Sequence, residues 1–307
     1  MKKPLVSVVI PVFNGSLYLR EAVGSVLASS YRNFEILLID DGSNDQSRKI
    51  CRTLVKQYPH KVKFFSFRKN KGLCHVLNFA LRQACGKFIC RLNQDDLMRK
   101  DRLKVQVEFL KRHPEVTAVG SWIRIFSRTK KKSKLLKFLK TDKEIKKVWY
   151  VVSPFSDPSV MYRKAVALKV DGYWQTLWPA DDTHLWYRLG QWGQLANIQK
   201  ALTFVRWHSQ AASFKYFRRL AISTYKMHLW THFHLKPAAL PVHLFWLGQL
   251  IAGLLLPPTI NWSVYRLIKK IVNQSDQLKK DWRQILANIK TVVKVSNQPA
   301  KLRTSGI

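Results

Sequence analysis

Acidic residues are scarce in this chain. Its 307 residues include 18 Asp and Glu against 54 Lys and Arg, which gives a formal net charge of +36. The basic residues are concentrated in the stretch 128–147, and everything after Lys215 contains only two acids, Asp276 and Asp281. Such a surface attracts polyanions, either nucleic acid or the anionic face of a membrane, and charge alone does not choose between them.

Cysteine is also scarce, and the usual redox and zinc patterns are missing. The four cysteines form no CxxC pair. We therefore expect reduced, buried and inert thiols. No apolar leader follows the first residues, because "PLVSVVIPVFNG" (4–15) is short and interrupted by Pro11, so we expect a cytoplasmic location.

Long hydrophobic runs are limited to "AALPVHLFWLGQLIAGLLLPP", residues 238–258. Pro241, His243 and Gln249 interrupt it, and its uninterrupted part is short for a hydrocarbon layer of roughly 30 Å. Flanking basic residues and tryptophans favour a monotopic or re-entrant helix on anionic lipid. A helical hairpin packed on the rest of the protein and a single membrane span are the alternatives.

Two common phosphate-binding loops, GxGxxG and GxxxxGK[ST], are absent. What is present over the first 125 residues or so is an alternation of apolar and helix-periodic segments typical of a βαβ series. Almost wholly apolar strands indicate a parallel sheet covered on both faces, in an α/β fold. The predicted strands are 6–10, 35–39, 62–67, 88–92 and 116–125, and the predicted helices are 18–28, 46–58, 76–84 and 102–111.

Adjacent acid pairs stand out against the basic background. Ligands bind at the carboxyl ends of strands in such sheets, and two of the pairs follow predicted strands. Each pair has a structural explanation, the capping of a helix or turn, beside a functional one: a ribose or base contact for the first, a Mg²⁺ or Mn²⁺ site for the second, and a general base for the third. The pairs are Asp40-Asp41, Asp95-Asp96 and Asp181-Asp182.

Six motifs, taken in order, resemble those of family 2 glycosyltransferases. They cover about residues 5 to 213 and read "VSVVIPVFNGSLYLREAVGSVLASSYRNFEILLIDDGSNDQS", "NKGLCHVLNFAL", "GKFICRLNQDDLMRKDRLKVQVEFL", "DPSVMYRKAVALKVDGY", "PADDTHLWYRLGQWGQLANI" and "VRWHSQAAS". The resemblance implies a GT-A fold, a nucleotide-diphospho-sugar donor, a divalent cation and inverting transfer to a hydroxyl. It predicts a GT-A domain over 1–213 and a basic, apolar, helical and membrane-associated region over 214–307.

The same resemblance implies donor-binding roles for residues at the strand ends and in the last motif. Three residues would line the base and ribose pocket, Asp41 would meet the base edge, and Asp95 would meet the ribose or diphosphate. An Arg-x-His pair would contact the diphosphate from the far side. The implied donor-binding residues are Pro11, Val12, Phe13, Asp41, Asp95, Arg206 and His208.

The implied cation ligand is Asp96, for Mg²⁺ or Mn²⁺, and the implied catalytic base is Asp182. Three positions depart from the family pattern. Asn93 stands where the family usually has Asp, which predicts weaker metal binding. Asp181 replaces the usual Glu before the base, and His184 stands where Asp is common, and both are expected to affect acceptor fit.

The resulting expectation is a hexosyltransferase-type enzyme that uses a UDP-sugar. Its acceptor would be a lipid-linked or other glycan, at the cytoplasmic face of a bacterial inner membrane, in surface-polysaccharide or lipopolysaccharide synthesis. No nucleic-acid partner is expected, because no zinc-finger or RRM signature is present. The alternatives are a basic protein that binds polyanions, nucleic acid included, and a catalytically weak relative that serves as a scaffold in a membrane complex.

Overall fold

A mixed sheet lies at the centre of the computed structural model, which describes residues 4–127, 133–149, 152–207, 215–257 and 260. Within these residues nine strands follow the order β3-β2-β1-β4-β8-β6-β9-β5, with β7 paired to β6. The predicted α/β class is confirmed.

One half of the sheet is parallel, as the sequence predicts. Its strands pair in parallel in the order β3-β2-β1-β4. All predicted strands and helices of this half are present, and α3 starts three residues before its predicted start. The elements are β1 (Val6–Val12), α1 (Leu19–Leu27), β2 (Phe34–Asp40), α2 (Ser47–Gln57), β3 (Val62–Ser66), α3 (Leu73–Gln83) and β4 (Phe88–Arg91).

Alternate residues of the central strands enter two different cores. Val9 and Leu37 pack on the face covered by α3. Val8 and Ile36 pack on the face covered by α1 and α2. Because successive side chains of a strand point to opposite faces, burial on both sides requires the continuous apolar runs seen in the sequence.

The other half of the sheet is mixed, and of its elements the sequence predicts only β6, α4 and the helix that begins at Asp181-Asp182. The short strand β8 pairs antiparallel with β4 and β6, whereas β9 runs parallel to β6 and antiparallel to β5. The elements are β5 (Leu97–Met98), α4 (Arg102–Arg112), β6 (Val116–Phe126), β7 (Ser133–Leu136), α5 (Asp142–Lys147), a 3₁₀ turn (Asp157–Ser159), β8 (Met161–Arg163), α6 (Lys164–Lys169), a second 3₁₀ turn (Gln175–Leu177), α7 (Asp181–Gln191) and β9 (Gln194–Arg206).

Two further helices, α8 (Phe217–His234) and α9 (Leu240–Leu255), follow the sheet and pack on each other. The helical character predicted for this region is thus confirmed over these residues. None of the helices in the described part of the chain is long and apolar enough to cross a membrane. Every described residue belongs to one compact unit. The predicted boundary after residue 213 stays a prediction.

Candidate active site

The loop after β1 is held to the loop after β4 by one side chain, Gln94. Its amide accepts a hydrogen bond from the backbone N–H of Phe13 at 2.8 Å and donates to the carbonyl of Phe13 at 2.9 Å. Phe13 is 44% exposed, Pro11 is half-buried and Val12 is fully buried in the core. Of the predicted pocket residues, Phe13 therefore presents its ring most openly, and Val12 can reach a ligand only through its backbone.

Asp41 follows β2 at the same edge of the sheet. Its carboxylate accepts hydrogen bonds from the backbone N–H groups of Lys71 at 2.7 Å and Gly72 at 2.9 Å, and its own N–H donates to Val12 at 2.8 Å. Gly72 has a φ of 91°, a backbone conformation that favours glycine, and it immediately precedes α3. Asp41 thus fixes the loop before α3, and its predicted contact with the base stays a prediction.

The second acid pair lies between β4 and β5. Asp96 is 1% exposed, and its carboxylate accepts from the side-chain amide of Asn93 at 3.0 Å and from the backbone N–H of Arg206 at 2.8 Å. Burial, reinforced by the negative charge of Asp95, raises the pKa of Asp96 well above its ordinary value. A cation placed against this pair would stabilise the ionised form that burial disfavours.

Arg206, at the end of β9, lies beside this acid pair. Its Nε donates to the carbonyl of Asp95 at 3.0 Å, and its guanidinium pairs with Glu21 at 2.8 Å while lying over the rings of Tyr18 and Phe126. The structure therefore places Arg206 beside the acid pair with its guanidinium directed to Glu21, and its predicted contact with the diphosphate stays a prediction. His208 lies outside the described residues, and its predicted contact stays a prediction.

The third acid pair begins α7. Asp182 is half-buried and its carboxylate accepts from the backbone N–H of Thr183 at 2.6 Å, while Asp181 is buried. Burial raises the pKa of both carboxyls, and the charge of Asp157 raises them further. A carboxylate with a raised pKa is a stronger base than an ordinary aspartate, which suits the predicted role of Asp182.

A buried ion pair, absent from the predicted set, lies between the two acidic groups. Arg91 is fully buried, and its guanidinium donates to the carboxylate of Asp157 at 2.6 Å and to the side-chain oxygen of Asn93 at 3.1 Å. The sequence carries one signal for Arg91, a charged residue inside the apolar strand "FICRL". Asp157 opens the motif "DPSV", but nothing local relates it to residues 66 positions away.

His184 packs between α7 and α8. It is fully buried on α7, with its ring centroid 4.8 Å from that of Trp174 and 4.2 Å from that of Trp230 on α8. Burial lowers the pKa of His184 to about 3, so the ring is neutral and packs as an aromatic side chain. This position makes His184 part of the contact between α7 and α8, and its expected effect on acceptor fit stays a prediction.

The donor set at the sheet edge suits a hard divalent cation. Asp95 and Asp96 supply carboxylate oxygens, the ligand type that Mg²⁺ and Mn²⁺ prefer, and these ions commonly combine one or two carboxylates with the oxygens of a bound phosphate. Within the described residues no group of three or more His, Cys, Asp or Glu is arranged to hold a metal. The residues fit a site shared with a diphosphate.

Comparison with known proteins agrees with this geometry. A model described as "Glycosyl transferase family 2" matches residues 7–170. The "Putative glycosyltransferase EpsE" of Bacillus subtilis is 31% identical over 230 residues, which span 73% of this chain and 81% of EpsE. An "Uncharacterized glycosyltransferase" of Haemophilus influenzae is 35% identical over 122 residues, 40% of this chain and 48% of that protein. The chain belongs to glycosyl transferase family 2 and is a glycosyltransferase.

Solved structures share the fold. Residues 1–349 of TarS from S. aureus, in complex with UDP-GlcNAc, superpose with a TM-score of 0.56 at 19% identity over 91% of both chains. The mannosyltransferase PcManGT from Pyrobaculum calidifontis, in complex with GDP-Man and Mn²⁺, superposes with a TM-score of 0.58 at 18% identity, over 93% of this chain and 80% of that one. These likenesses confirm the GT-A type fold.

Proposed function

We propose that this glycosyltransferase moves a sugar from a nucleoside-diphosphate donor, a UDP-sugar in the first instance, to an acceptor hydroxyl with inversion. One observation carries the proposal: the Asp95-Asp96 pair and the Asp182 carboxyl flank a common buried ion pair, Arg91–Asp157. A cation-binding acid pair and a separate acid with a raised pKa are the two groups that such a transfer needs. TarS was solved with UDP-GlcNAc, which supports UDP, and PcManGT with GDP-Man, so GDP is tested beside it.

The chemistry proceeds as one displacement. The acceptor oxygen forms a bond to the anomeric carbon from the face opposite the diphosphate, and Asp182 takes the proton from that oxygen. The bond between the anomeric carbon and the diphosphate oxygen breaks, and the nucleoside diphosphate leaves with the electron pair. A single attack from the opposite face inverts the anomeric centre.

Asp96, with Asp95 beside it, is the proposed ligand set for Mg²⁺ or Mn²⁺. When bound, the cation offsets the negative charge that develops on the departing diphosphate. The structure of PcManGT in complex with GDP-Man and Mn²⁺ supports a divalent ion in this fold. Asn93 contributes by donating to Asp96, which holds that carboxylate in one orientation.

We further propose that the acceptor is a lipid-linked or other glycan at the cytoplasmic face of a bacterial inner membrane, as in surface-polysaccharide synthesis. Support comes from α9, whose solvent-facing side carries a continuous stripe of apolar residues at helical spacing, here called the α9 stripe. Its other side packs on α8, where Gly253 allows the close approach of Ala221. The α9 stripe consists of Leu240, Leu244, Leu247, Ile251, Leu254 and Leu255, exposed by 70, 60, 43, 48, 38 and 76% respectively.

Basic side chains accompany the stripe. Lys215, Arg218, Arg219 and Lys226 are exposed at or near α8, and no acid occurs among residues 215–257. An exposed apolar stripe beside cationic side chains matches the interface of an anionic bilayer, where the leucines enter the acyl boundary and the cations meet lipid phosphates. A second copy of the chain could also bury the α9 stripe, but the basic side chains of the two copies would then repel each other.

The donor proposal is tested by calorimetry with UDP, GDP and dTDP, each with and without Mn²⁺. We expect one nucleotide to bind in a cation-dependent manner and Asp96→Asn to abolish that dependence. Asp101→Asn is the matched control, because Asp101 is a partly exposed acid paired with Arg99 outside the site. If no nucleotide binds under any condition, the acid pair serves only local structure, and the scaffold or polyanion-binding alternatives replace this proposal.

A further inference from the structure

The buried guanidinium of Arg91 contacts four groups. Its Nη1 donates to the backbone carbonyls of Val9 at 3.3 Å and Leu92 at 3.2 Å, and its Nη2 donates to Asn93 at 3.1 Å and Asp157 at 2.6 Å. The two carbonyls hold the guanidinium against β1 and against the end of β4. Since Arg91 is fully buried, its charge is offset mainly by Asp157 rather than by water.

Asn93 carries this connection to the predicted cation site. Its side-chain oxygen accepts from Arg91, and its side-chain nitrogen donates to the carboxylate of Asp96 at 3.0 Å. An aspartate at position 93 would accept from Arg91 but would have no proton for Asp96. Asn93, which departs from the usual family residue, therefore turns two separate contacts into one continuous chain of hydrogen bonds.

Asp157 forms the other end, on the side of the proposed base. The titratable groups around it are Tyr162 on β8, Tyr173, the α7 pair, Arg91 and the buried Arg102 of α4, and the two tyrosine hydroxyls lie 3.3 Å apart. The Oδ2 of Asp157 is taken by Arg91, whereas its Oδ1 is buried without a hydrogen-bond partner among the described residues. The charge of Asp157 thus acts on both Arg91 and the carboxyl of Asp182.

We propose that Arg91 is a positioning residue that couples the acceptor-side acid Asp157 to the cation-binding acid Asp96 through Asn93. The inference rests on the proposed function, because it assigns the cation to Asp96. The proposal therefore predicts an indirect effect. A change at Asp157, which is not among the predicted donor-binding residues, alters cation-dependent nucleotide binding. When Asn replaces Asp157, the charge of Arg91 is left without its anionic partner and acts through Asn93 against the cation.

A double-mutant cycle on binding tests this coupling. The variants are Asp157→Asn, Asn93→Ala and the double variant, and the measurement is the Kd of the nucleotide that wild type binds, among UDP, GDP and dTDP, in the presence of Mn²⁺. We expect Asp157→Asn to raise the Kd about fivefold in wild type and less than about twofold in the Asn93→Ala background. An equal factor in both backgrounds, or no effect in either, overturns the coupling, since charge acting directly through space does not need Asn93.

Two controls keep the result interpretable. Melting temperatures without Mn²⁺ establish that each variant folds, and Asp157→Ser provides the same comparison if the amide variant does not. Asp101→Asn, at a partly exposed ion pair away from the site, is expected to leave the Kd unchanged. Failure of the proposed function gives a different result, because wild-type protein would then bind none of the three nucleotides.

Discussion

The α9 stripe makes a quantitative prediction about membrane binding. Replacing Leu244, Leu247 and Ile251 by Gln removes three side chains that are 60, 43 and 48% exposed, together about one and a half fully exposed side chains. At roughly 2 kcal/mol for each side chain taken from water, the loss is about 3 kcal/mol of transfer free energy. Because about 1.4 kcal/mol corresponds to a factor of ten, we expect vesicle affinity to fall on the order of a hundredfold.

The assay is co-sedimentation with phosphatidylglycerol-containing vesicles, repeated with neutral vesicles and at higher salt. The matched control is Leu17→Gln with Leu168→Gln, two apolar residues of similar exposure, 67 and 43%, elsewhere on the surface. Gln favours helix, so the triple variant should keep its helical circular dichroism. If the triple variant binds anionic vesicles as wild type does, the stripe is not the membrane contact. A fall in oligomer mass instead would assign the stripe to a second copy of the chain.

Three further predictions concern the site and the thiols. Asp182→Asn should retain nucleotide binding and reduce the transfer rate by a factor of about 10² or more. Because the base must be ionised and burial raises the pKa of Asp182, lowering the pH should reduce the wild-type rate well before the pH reaches about 4, the ordinary pKa of aspartate. A rate that stays constant down to that pH would contradict the assignment. Gly15→Ala would place a Cβ 2.1 Å from the Oε1 of Gln94, so it should cost about 1–3 kcal/mol of stability and weaken nucleotide binding. Shortening the partner in a Gly15→Ala, Gln94→Ala variant should restore the melting temperature, and a lack of any restoration would show that the clash is not the cause. Maleimide should modify only Cys85 in the native protein, because Cys85 is exposed whereas burial raises the pKa of the other three thiols. Mass spectrometry counts the labels, and labelling of a second cysteine would argue against the burial of those three thiols.

The sequence is informative where periodicity and burial coincide. The parallel strands are apolar over most of their length, so β1 to β4 and their helices are predictable within a few residues. Strands β5 and β8 have two and three residues, too few for a periodic pattern, and they exist because longer neighbours pair with them. The acid pairs are predictable because acids are rare in this chain.

Other parts of the site depend on contacts between distant residues. The pair Arg91–Asp157 joins residues 66 apart, and the contact between Gln94 and Phe13 joins residues 81 apart. Neither contact leaves a local pattern, since each side chain follows from where the sheet places its own strand end. The direction of the Arg206 side chain toward Glu21 is likewise set by tertiary structure, over a separation of 185 residues.

The aromatic contact between α7 and α8 bears on how the protein can be divided. Trp230 of α8 covers the ring of His184, and Ser223 of α8 donates to the carbonyl of Trp178 at 2.9 Å. A chain shortened to residues 1–213 would open this covering and present His184 and Trp174, which now face α8, to water. Helix α7 would then expose a new apolar surface within one turn of Asp182. The truncated enzyme is therefore expected to aggregate, and its measured activity is expected to differ from that of the intact enzyme.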